Sequence, residues 1–589
     1  MYSTQNLMSK LNQNVGGYLI QRLYDHGVRH IFGVPGDFVL GFYQQLIQSN
    51  KLKVINTCDE QGAGFAADAY ARINGLGVVC VTYCVGGLKV VNATAQAFAE
   101  KSPVVVISGA PGIKERRKNP LLHHKVKDFD TQQKVFEHVT VDYVVLDDSK
   151  TAVENIERVL SSARRYKRPV YIELPRDIVS AAIPPIHEDH DIGFQTSSAK
   201  LYYQAAEVGG EVSEEECKTD IASMQEALEE ATTMINSSRQ PVIVAGVEVH
   251  RFGLQDKLLQ LIDKTNIPVV STVLSKSTIS EDHPCYLGVY EGAMGFRSVR
   301  EYVESSDCII LLGALMTDIN FGISPTPIEQ SRSIYVSSEK LSIKHHNFEN
   351  IALNNFLVSL IDSRLEKRTP RSIEKNGDKS RNNSRHARYK HFVAKKNQKI
   401  TVKRLFERLN SSITSNTIVI ADVGDSLFGA LDLTIHGQTE FLSPAYYLSM
   451  GFAIPAAIGD QLASPRLRPI VIVGDGAFQM TGMEVSTIAR FNLNPIIIVL
   501  NNKGYGTERP MLDGPFNDIL PWNYNQIPGI VNNNGKGFVI ETEDQLEESL
   551  SAAENIYCNE FCILDIHLDV YDGSPALRRL TEVLGKKVQ

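Results

Sequence analysis

Two short apolar runs, each ending in turn residues, most constrain how this chain can fold. Residues 470–473 (IVIV) run directly into Gly474-Asp475-Gly476, and residues 496–500 (IIIVL) run into Asn501-Asn502. A helix-length segment separates them, and β-branched runs in this arrangement predict a βαβ unit of a parallel sheet. Open α/β sheets bind ligands beyond the carboxyl ends of their strands. Asp475 and Asn502 are therefore predicted to lie at a ligand-binding edge.

The residue types at these two strand ends favour a clamp for a metal ion and a diphosphate. A carboxylate and an amide oxygen are ligands that suit Mg²⁺, which takes its other ligands from phosphate and water. The glycines would let the backbone approach a diphosphate closely. Either motif alone is explained as well by ordinary turn chemistry. The order of GDG, the segment 477–500 and NN, with each motif after a strand-like run, favours the clamp.

Length and composition predict a soluble globular chain of several domains. At 589 residues it exceeds what one core normally supports, so about three or four domains are expected. The net charge of -8 gives no electrostatic reason to bind nucleic acid or an anionic membrane. The N-terminal residues lack a signal-peptide pattern, and the apolar runs are too short for a membrane span. The eight cysteines do not suggest a disulfide framework or a zinc site, so buried free thiols and a cytoplasmic location are expected.

The first part of the chain alternates predicted helices and strands, and acidic residues stand at two strand ends. Asp37 ends the turn Gly33-Val34-Pro35-Gly36-Asp37, and Glu60 follows the strand-like residues 53–56. From composition alone, Asp37 is better explained as a turn aspartate, and Glu60 by itself is also explained as a carboxylate at a helix N-terminus. His123 and His124 lie in a polar connection, where a surface pair with rings pointing in different directions is the simpler interpretation.

The alternation of strands and helices divides the chain into five segments. Residues 1–185 form a first doubly wound α/β domain, and 186–238 form a linker and a surface helix. Residues 239–363 form a central α/β domain without a G-x-G-x-x-G motif, which argues against a nicotinamide site. Residues 364–399 are a basic, polar linker, for which a nucleic-acid patch is the less favoured alternative. Residues 400–589 form a third α/β domain that contains the clamp.

Taken together, these motifs resemble those of the thiamin diphosphate (ThDP) enzymes. The GDG…NN pair is similar to the signature of that family as a whole. Along nearly its whole length, the chain resembles more specifically the decarboxylase branch that acts on pyruvate and indolepyruvate. The motifs that carry this resemblance are the GVPGD turn, the acidic residue before Gln61-Gly62, Leu122-His123-His124, and Asn502-x-Gly504-Tyr505 followed by Glu508.

The resemblance implies three doubly wound α/β domains. In chain order these are a pyrimidine-binding domain, a central domain and a diphosphate-binding domain. It implies ThDP and Mg²⁺ as cofactors, with Asp475, Asn502 and the carbonyl of Gly504 as metal ligands. It also implies a homo-oligomer, at least a dimer and preferably a tetramer. The implied cofactor-binding residues are Glu60, Asp425, Ser426, Leu448, Met450, Gly474, Asp475, Gly476, Ala477, Asn502 and Gly504.

The resemblance also implies roles in catalysis. Glu60 would hydrogen-bond the pyrimidine ring nitrogen, and Met450 would hold the cofactor bent, although core packing is compatible with Met450 as well. Protonation of a ThDP enamine and release of an aldehyde are implied for Asp37, His123, His124 and Glu508. Two residues depart from the pattern of relatives. Lys89 stands where serine is usual, and Leu448 where glycine is common.

The implied activity is the non-oxidative decarboxylation of a 2-oxo acid to an aldehyde and CO2. A carboligase resembling acetolactate synthase and a ThDP-binding regulator without turnover are alternatives. His123, His124 and Glu508 argue against a carboligase as the main activity, and the presence of Glu60 and both histidines argues against the regulator. Leu427 and Thr507 occupy positions that are bulkier in relatives restricted to pyruvate. Branched-chain or aromatic substrates, including phenylpyruvate or indolepyruvate, are therefore expected, with pyruvate decarboxylase as the alternative.

Overall fold

The computed structural model describes residues 13–185, 221–320, 328–369, 392–437, 439–531, 535–556 and 560–588. The chain clusters into two compact units. The first consists of Met1–Glu216 with Ile458–Ser464, and the second of Cys217–Ala457 with Pro465–Gln589. Most of the two predicted linkers, at 186–220 and 370–391, lies outside the described residues.

The first unit is built on a six-stranded parallel sheet with the strand order β2-β1-β3-β4-β6-β5. Buried apolar side chains of its strands pack against the flanking helices, as the predicted alternation requires. The strands are β1 (His30–Gly33), β2 (Lys53–Asn56), β3 (Gly77–Val81), β4 (Val104–Ala110), β5 (Asp142–Val145) and β6 (Val170–Pro175). The helices are Val15–Asp25, Leu40–Ser49, Glu60–Asn74, Gly87–Ala99, Thr131–Glu137 and Ala152–Tyr166.

The second unit contains two sheets, of which the first has seven strands in the order β13-β12-β11-β10-β7-β8-β9. Five strands run parallel, and β12 and β13 add an antiparallel edge that the sequence did not indicate. The strands are β7 (Pro241–Ala245), β8 (Val269–Thr272), β9 (Tyr286–Tyr290), β10 (Cys308–Leu312), β11 (Ser333–Val336), β12 (Leu341–Ile343) and β13 (His346–Phe348). The helices are Ile221–Ser237, Val247–Arg251, Gln255–Thr265, Arg297–Glu304 and Leu353–Asp362.

The other sheet of the second unit has six parallel strands in the order β15-β14-β16-β17-β19-β18. The predicted βαβ unit is confirmed, since β16 and β17 are parallel neighbours. The strands are β14 (Thr417–Ala421), β15 (Phe441–Leu442), β16 (Arg468–Gly474), β17 (Ile496–Asn501), β18 (Gly535–Ile540) and β19 (Phe561–His567). The helices are Val402–Leu409, Asp425–Leu431, Ala453–Ala463, Asp475–Thr481, Val485–Arg490, Ile527–Ile530, Glu543–Glu554 and Pro575–Val588; the clustering divides Ala453–Ala463 between the two units.

Two segments that the sequence placed in linkers pack into cores instead. The helix Ile221–Ser237 buries Met224, Ala227 and Met234 in the core of the seven-stranded sheet, so it is more than a surface helix. Phe392 is buried in the core that includes β14 and β16. The backbone N–H of Lys395 donates to Glu543 at 3.0 Å. The polar sequence around the helix and around Phe392 gave no sign of the cores that cover them.

Among the described residues, no helix is both long enough and apolar enough to span a membrane. The described cysteines are all free thiols, and Cys80, Cys84, Cys308 and Cys562 are buried. Cys558 lies outside the described residues.

Candidate active site

In the first unit, the predicted acidic residues follow neighbouring strands. Asp37 comes after β1, and Glu60 begins the helix that follows β2. Because β1 and β2 are parallel and adjacent, the segments after them leave the sheet at one edge. His123 and His124 lie in the long connection after β4, which leaves the sheet at that same edge.

Asp37, His123 and His124 form one cluster. His123 Nε2 lies 2.8 Å from Asp37 Oδ2, and one side-chain atom of each of the three residues lies within 4.8 Å of the others. The His123 ring stacks on Phe38 with 4.7 Å between centroids. The prediction that the histidines point in different directions is wrong, because His124 adopts a left-handed backbone conformation (φ 64) that turns its ring toward the same cluster. An imidazole hydrogen-bonded to a carboxylate can accept and return a proton.

Arg176 adds a cation that the sequence analysis missed. Its Nη1 lies 3.9 Å from Asp37 Oδ2, and its guanidinium carbon lies 5.1 Å from the centre of the Phe38 ring. Glu115 accepts a hydrogen bond of 2.8 Å from Arg176 Nε and so fixes the guanidinium. Arg176 directly follows β6, so the strand-end rule that selected Asp37 could have found it.

Glu60 stands beside a second acidic residue and a lysine. The Asp59 carboxylate caps the helix by accepting a hydrogen bond of 2.8 Å from the Gln61 N–H. Lys89, from the helix Gly87–Ala99, forms a short ion pair with Asp59, and its Nζ lies 3.5 Å from Glu60 Oε2. The residue that departs from the family pattern therefore contacts the carboxylate to which the resemblance assigns cofactor activation.

In the second unit, Asp475 lies where β16 and β17 end. Its carboxylate is fully buried and accepts hydrogen bonds from the Gly476 N–H at 2.8 Å and the Gly504 N–H at 3.2 Å. Burial raises the pKa of Asp475 to about 6, against the lowering effect of these backbone donors. The predicted pair of strand ends is thus tied together by one carboxylate. Oxygen atoms at such a site suit a hard divalent cation.

The loop after β17 is held close to this carboxylate. Asn502 is partly exposed, and the Gly504 carbonyl accepts a hydrogen bond of 3.0 Å from the Gly506 N–H, which leaves it a second lone pair. A Cβ atom added at Gly506 would lie 2.3 Å from Asn502 Nδ2, and one added at Gly476 would lie 2.7 Å from the Tyr505 ring. A larger residue at either position would therefore have to displace the Asn502 or Tyr505 side chain. By contrast, a Cβ at Gly474 would meet no atom within 4 Å, so the space beside that residue is open.

The turn after β14 carries buried polar atoms that have no partner within the described residues. Asp425 Oδ1 and Ser426 Oγ are both buried and make no hydrogen bond there. The other carboxylate oxygen of Asp425 accepts a hydrogen bond of 2.9 Å from the Ser574 N–H, and burial raises the pKa of Asp425 to about 6. Because buried polar atoms are normally satisfied, these two fit a polar ligand that completes them. Ala477, in the helix that follows the adjacent strand β16, is also buried.

Asp422, which sequence analysis did not select, holds the turn that carries Leu448 and Met450. Its buried carboxylate accepts hydrogen bonds from the N–H groups of Gly451 at 3.0 Å and Ala453 at 2.8 Å. Leu448 adopts a left-handed conformation with φ 59. Met450 is only partly buried, which suits contact with a ligand better than core packing. Asp422 directly follows β14, so its position at a strand end was the available signal.

Glu508 lies on the loop after β17, and its side chain is exposed. The preceding Thr507 lies against the Asp425 turn, because a Cβ atom added at Gly424 would lie 2.7 Å from Thr507 Oγ1. Leu427 in that turn is fully buried in the core. Of the two positions used for the substrate-size prediction, Leu427 is therefore enclosed in the core, whereas Thr507 is partly exposed.

Three α/β sheets of mainly parallel strands, of which the first and third carry acidic or amide side chains at their strand ends, are typical of an α/β enzyme that binds a polar cofactor. Models of the thiamine pyrophosphate enzymes match the chain in three places. The N-terminal TPP binding domain matches residues 13–135, the central domain 228–356 and the C-terminal TPP binding domain 422–566.

Curated relatives narrow this class. An indole-3-pyruvate decarboxylase of Azospirillum brasilense is 34% identical over 91% of this chain and 92% of that protein. Pyruvate decarboxylase 2 of Arabidopsis thaliana is 29% identical over 97% of this chain and 91% of that protein. An alpha-keto-acid decarboxylase of Mycobacterium leprae is 29% identical over 92% of this chain and 90% of that protein. The chain belongs to the family of thiamin diphosphate-dependent 2-oxo acid decarboxylases.

Proposed function

We propose that this decarboxylase uses Asp37, His123, His124 and Glu508 to move protons, and that its substrates extend beyond pyruvate to branched or aromatic 2-oxo acids. The observation that carries the first part is the hydrogen bond of 2.8 Å between His123 Nε2 and Asp37 Oδ2. After CO2 is lost, a carbon must be protonated. A hydroxyl proton must then be removed so that the aldehyde can be released. Both transfers require groups that change protonation state near neutral pH.

The cluster meets this requirement through its chemistry and its surroundings. A carboxylate partner stabilises the imidazolium that forms when an imidazole accepts a proton. Phe38 limits the movement of the His123 ring by stacking on it. Arg176 supplies positive charge beside Asp37, which suits a substrate that carries a carboxylate.

ThDP supplies the nucleophilic carbon and the electron sink for decarboxylation. Among this chain's own residues, Glu60 is proposed to hydrogen-bond the pyrimidine ring nitrogen. Asp425 and Ser426 are proposed to satisfy their unpaired polar atoms on the cofactor, and Met450 to support it by apolar contact. The roles of Asp425 and Ser426 are supported by their Oδ1 and Oγ atoms, which are buried without a partner among the described residues.

Asp475, Asn502 and the carbonyl of Gly504 are proposed to hold Mg²⁺. Asp475 and Gly504 are already held close together, because the Gly504 N–H donates a hydrogen bond of 3.2 Å to Asp475 Oδ2. A divalent cation would stabilise the charged form of a buried carboxylate whose pKa is raised by desolvation. The open space beside Gly474 suits a diphosphate that would bring further oxygen ligands to the ion.

A homodimer or homotetramer is proposed from the apolar side chains that each unit leaves exposed. In the first unit, Leu121 is 95% and Ile47 73% exposed, and in the second, Leu520 is 77% and Ile530 75% exposed. Such side chains mark a surface that another chain covers where they form a contiguous patch. Sedimentation analysis of the purified protein tests this proposal, which a monomer with full activity would contradict.

The proposed substrate range rests on Thr507. Its side chain is partly exposed beside the Asp425 turn, where the larger isoleucine is expected in relatives restricted to pyruvate. Each additional substrate methylene that becomes buried contributes about 0.8 kcal/mol, or roughly fourfold in kcat/KM. The indole-3-pyruvate decarboxylase among the relatives supports a larger substrate. The pyruvate decarboxylases among them favour pyruvate as the second candidate.

One assay distinguishes these candidates. The purified protein, supplied with ThDP and Mg²⁺, is given pyruvate, 4-methyl-2-oxopentanoate, phenylpyruvate and indolepyruvate, and aldehyde formation is measured. We expect the branched or aromatic acids to reach at least the kcat/KM of pyruvate. A clear preference for pyruvate would contradict the larger pocket and identify a pyruvate decarboxylase. Hydroxyketone as the main product would identify a carboligase and contradict the proton-transfer roles.

A further inference from the structure

The cluster of Asp37, His123 and His124 has the composition of a transition-metal site. One nitrogen or oxygen atom of each residue lies within 4.8 Å of the other two, and His123 Nε2 lies 2.8 Å from Asp37 Oδ2. Within the described part of the chain, no other group of three histidine, cysteine, aspartate or glutamate side chains comes as close together. Two imidazoles and one carboxylate form a ligand set that binds divalent transition metals and leaves positions open for water.

The distances in the cluster require only small movements for an ion to bind. Nitrogen and oxygen ligands lie about 2.0–2.2 Å from Zn²⁺, so the ligand atoms of a tetrahedral site are roughly 3.3–3.6 Å apart. The separation of 2.8 Å between His123 Nε2 and Asp37 Oδ2 therefore has to lengthen slightly, and the widest separation in the cluster, at most 4.8 Å, has to shorten. All three side chains are exposed, so an ion can reach them and keep water as a further ligand.

The charges around the cluster leave room for a cation. Arg176 Nη1 lies 3.9 Å from Asp37 Oδ2 and by itself would repel a metal ion. Glu115 accepts a hydrogen bond of 2.8 Å from Arg176 Nε, so the charge of the guanidinium is offset and that of Asp37 remains for the ion. Imidazole ligands suit Zn²⁺, whereas Mg²⁺ prefers oxygen ligands alone. The cluster is therefore expected to take a transition metal in the presence of Mg²⁺.

We propose that Asp37, His123 and His124 bind a divalent transition-metal ion such as Zn²⁺, and that the bound ion inhibits the enzyme reversibly. A metal ion takes up the same nitrogen and carboxylate lone pairs that would accept a proton, so the occupied cluster cannot move protons. All three ligands belong to the first unit, whereas the three proposed Mg²⁺ ligands belong to the second. The inhibition rests on the proposed function, but the binding does not.

Calorimetry with Zn²⁺ tests the site on protein saturated with ThDP and Mg²⁺, in which the proposed Mg²⁺ ligands are occupied. We expect about one Zn²⁺ per chain at the tightest site, and affinity weakened about tenfold or more in His124→Gln and in Asp37→Asn, because each variant lacks a ligand or its charge. Binding of ThDP by each variant shows that it is folded.

His346→Gln is the matched control. His346 Nδ1 lies 2.8 Å from Glu230 Oε2, and its side chain is 67% exposed, against 57% for His123. This pair is not part of a group of three such ligands in the described residues. The variant should therefore keep the wild-type affinity at the tightest site. Absence of a tight site in the wild type, or equal affinity in the wild type and His124→Gln, would overturn the proposed metal site.

Activity measurements test the inhibition separately. Zn²⁺ should abolish aldehyde formation while deuterium exchange at the thiazolium carbon continues, because Glu60 is not a ligand of the site, and dialysis against ThDP and Mg²⁺ should restore activity. Bound Zn²⁺ that leaves aldehyde formation unchanged would overturn the inhibition. Exchange that is lost together with aldehyde formation would overturn it as well, because the ion would then act on the cofactor. A wild-type protein that forms no aldehyde without Zn²⁺ would refute the proposed function, and calorimetry would still decide the metal site.

Discussion

Replacing Asp425 by asparagine should make the cofactor-free protein more stable at neutral pH and a poorer binder of ThDP. The Asp425 Oδ1 atom is buried and has no partner among the described residues, whereas the residue as a whole is only partly buried. Burial raises its pKa from 3.8 to about 6. An ionised carboxylate in this position is therefore unfavourable until a ligand compensates for the lost water. Asparagine keeps the size and one carbonyl acceptor for the Ser574 N–H.

The magnitude follows from proton linkage. Between about pH 4 and pH 6 the folded protein retains a proton at Asp425 that the unfolded chain has lost, so its free energy of unfolding falls as pH rises. The pKa shift of about two units corresponds to a loss of about 3 kcal/mol in the free energy of unfolding, and this loss is complete above about pH 6. Asparagine has no such titration. The difference in unfolding free energy between variant and wild type should therefore increase by about 2 kcal/mol from pH 4.5 to pH 7.5.

Denaturant unfolding of both cofactor-free proteins at these two pH values measures that difference. Asp569→Asn is the control, since Asp569 is an exposed aspartate of the same unit and should change neither value. Calorimetry at pH 7.5 should show ThDP affinity weakened about tenfold or more in Asp425→Asn, because a hydrogen bond to a charged group is lost. A difference in unfolding free energy that does not change with pH would refute the reasoning about burial. Unchanged ThDP affinity would refute the placement of Asp425 in the cofactor site.

The remaining predictions concern cofactor and substrate. Asp475→Ala should lower ThDP affinity by at least tenfold in calorimetry with Mg²⁺, because a metal ligand is lost; unchanged binding would show that Asp475 is not a ligand. Glu60→Gln should slow deuterium exchange at the thiazolium carbon of bound ThDP, whereas Glu508→Gln should preserve exchange and reduce aldehyde formation. Equal loss of exchange in both variants would contradict this division of roles. Thr507→Ile should shift kcat/KM toward pyruvate and away from phenylpyruvate by about fourfold or more, and an unchanged ratio would contradict a size limit at this position.

The sequence predicted most reliably those features that one strand and its ending define. The βαβ unit that contains Asp475 was recognisable because a buried parallel strand needs a continuous apolar run, and the residue after it is placed by the strand. Asp422 and Arg176 also follow strands, yet their partners come from distant parts of the chain. Asp422 binds the turn at Gly451, and Arg176 lies beside Asp37. Contacts of this kind depend on tertiary packing, which periodicity does not encode.

The orientation of His124 and the placement of the helix Ile221–Ser237 illustrate two further limits. His124 turns toward Asp37 through a left-handed backbone conformation that no residue type at that position signals. The helix packs through small and flexible residues, Ala227, Ala231 and Met234 among them, within a largely polar sequence. Its apolar side was visible as a pattern, but the sheet that covers it could be identified only in the folded chain.

The left-handed conformation of Leu448 has a consequence for how relatives of this protein are recognised. Glycine is the usual solution at such a position, and a branched side chain there costs on the order of 1 kcal/mol. Asp422 compensates by binding the N–H groups that follow the turn, so the backbone shape is imposed from a neighbouring strand. A motif search that demands glycine at this turn would therefore discard chains that build the same shape. The buried aspartate after β14 is a better marker for such chains. Its hydrogen bonds hold the turn in this shape, whereas a glycine only permits the shape.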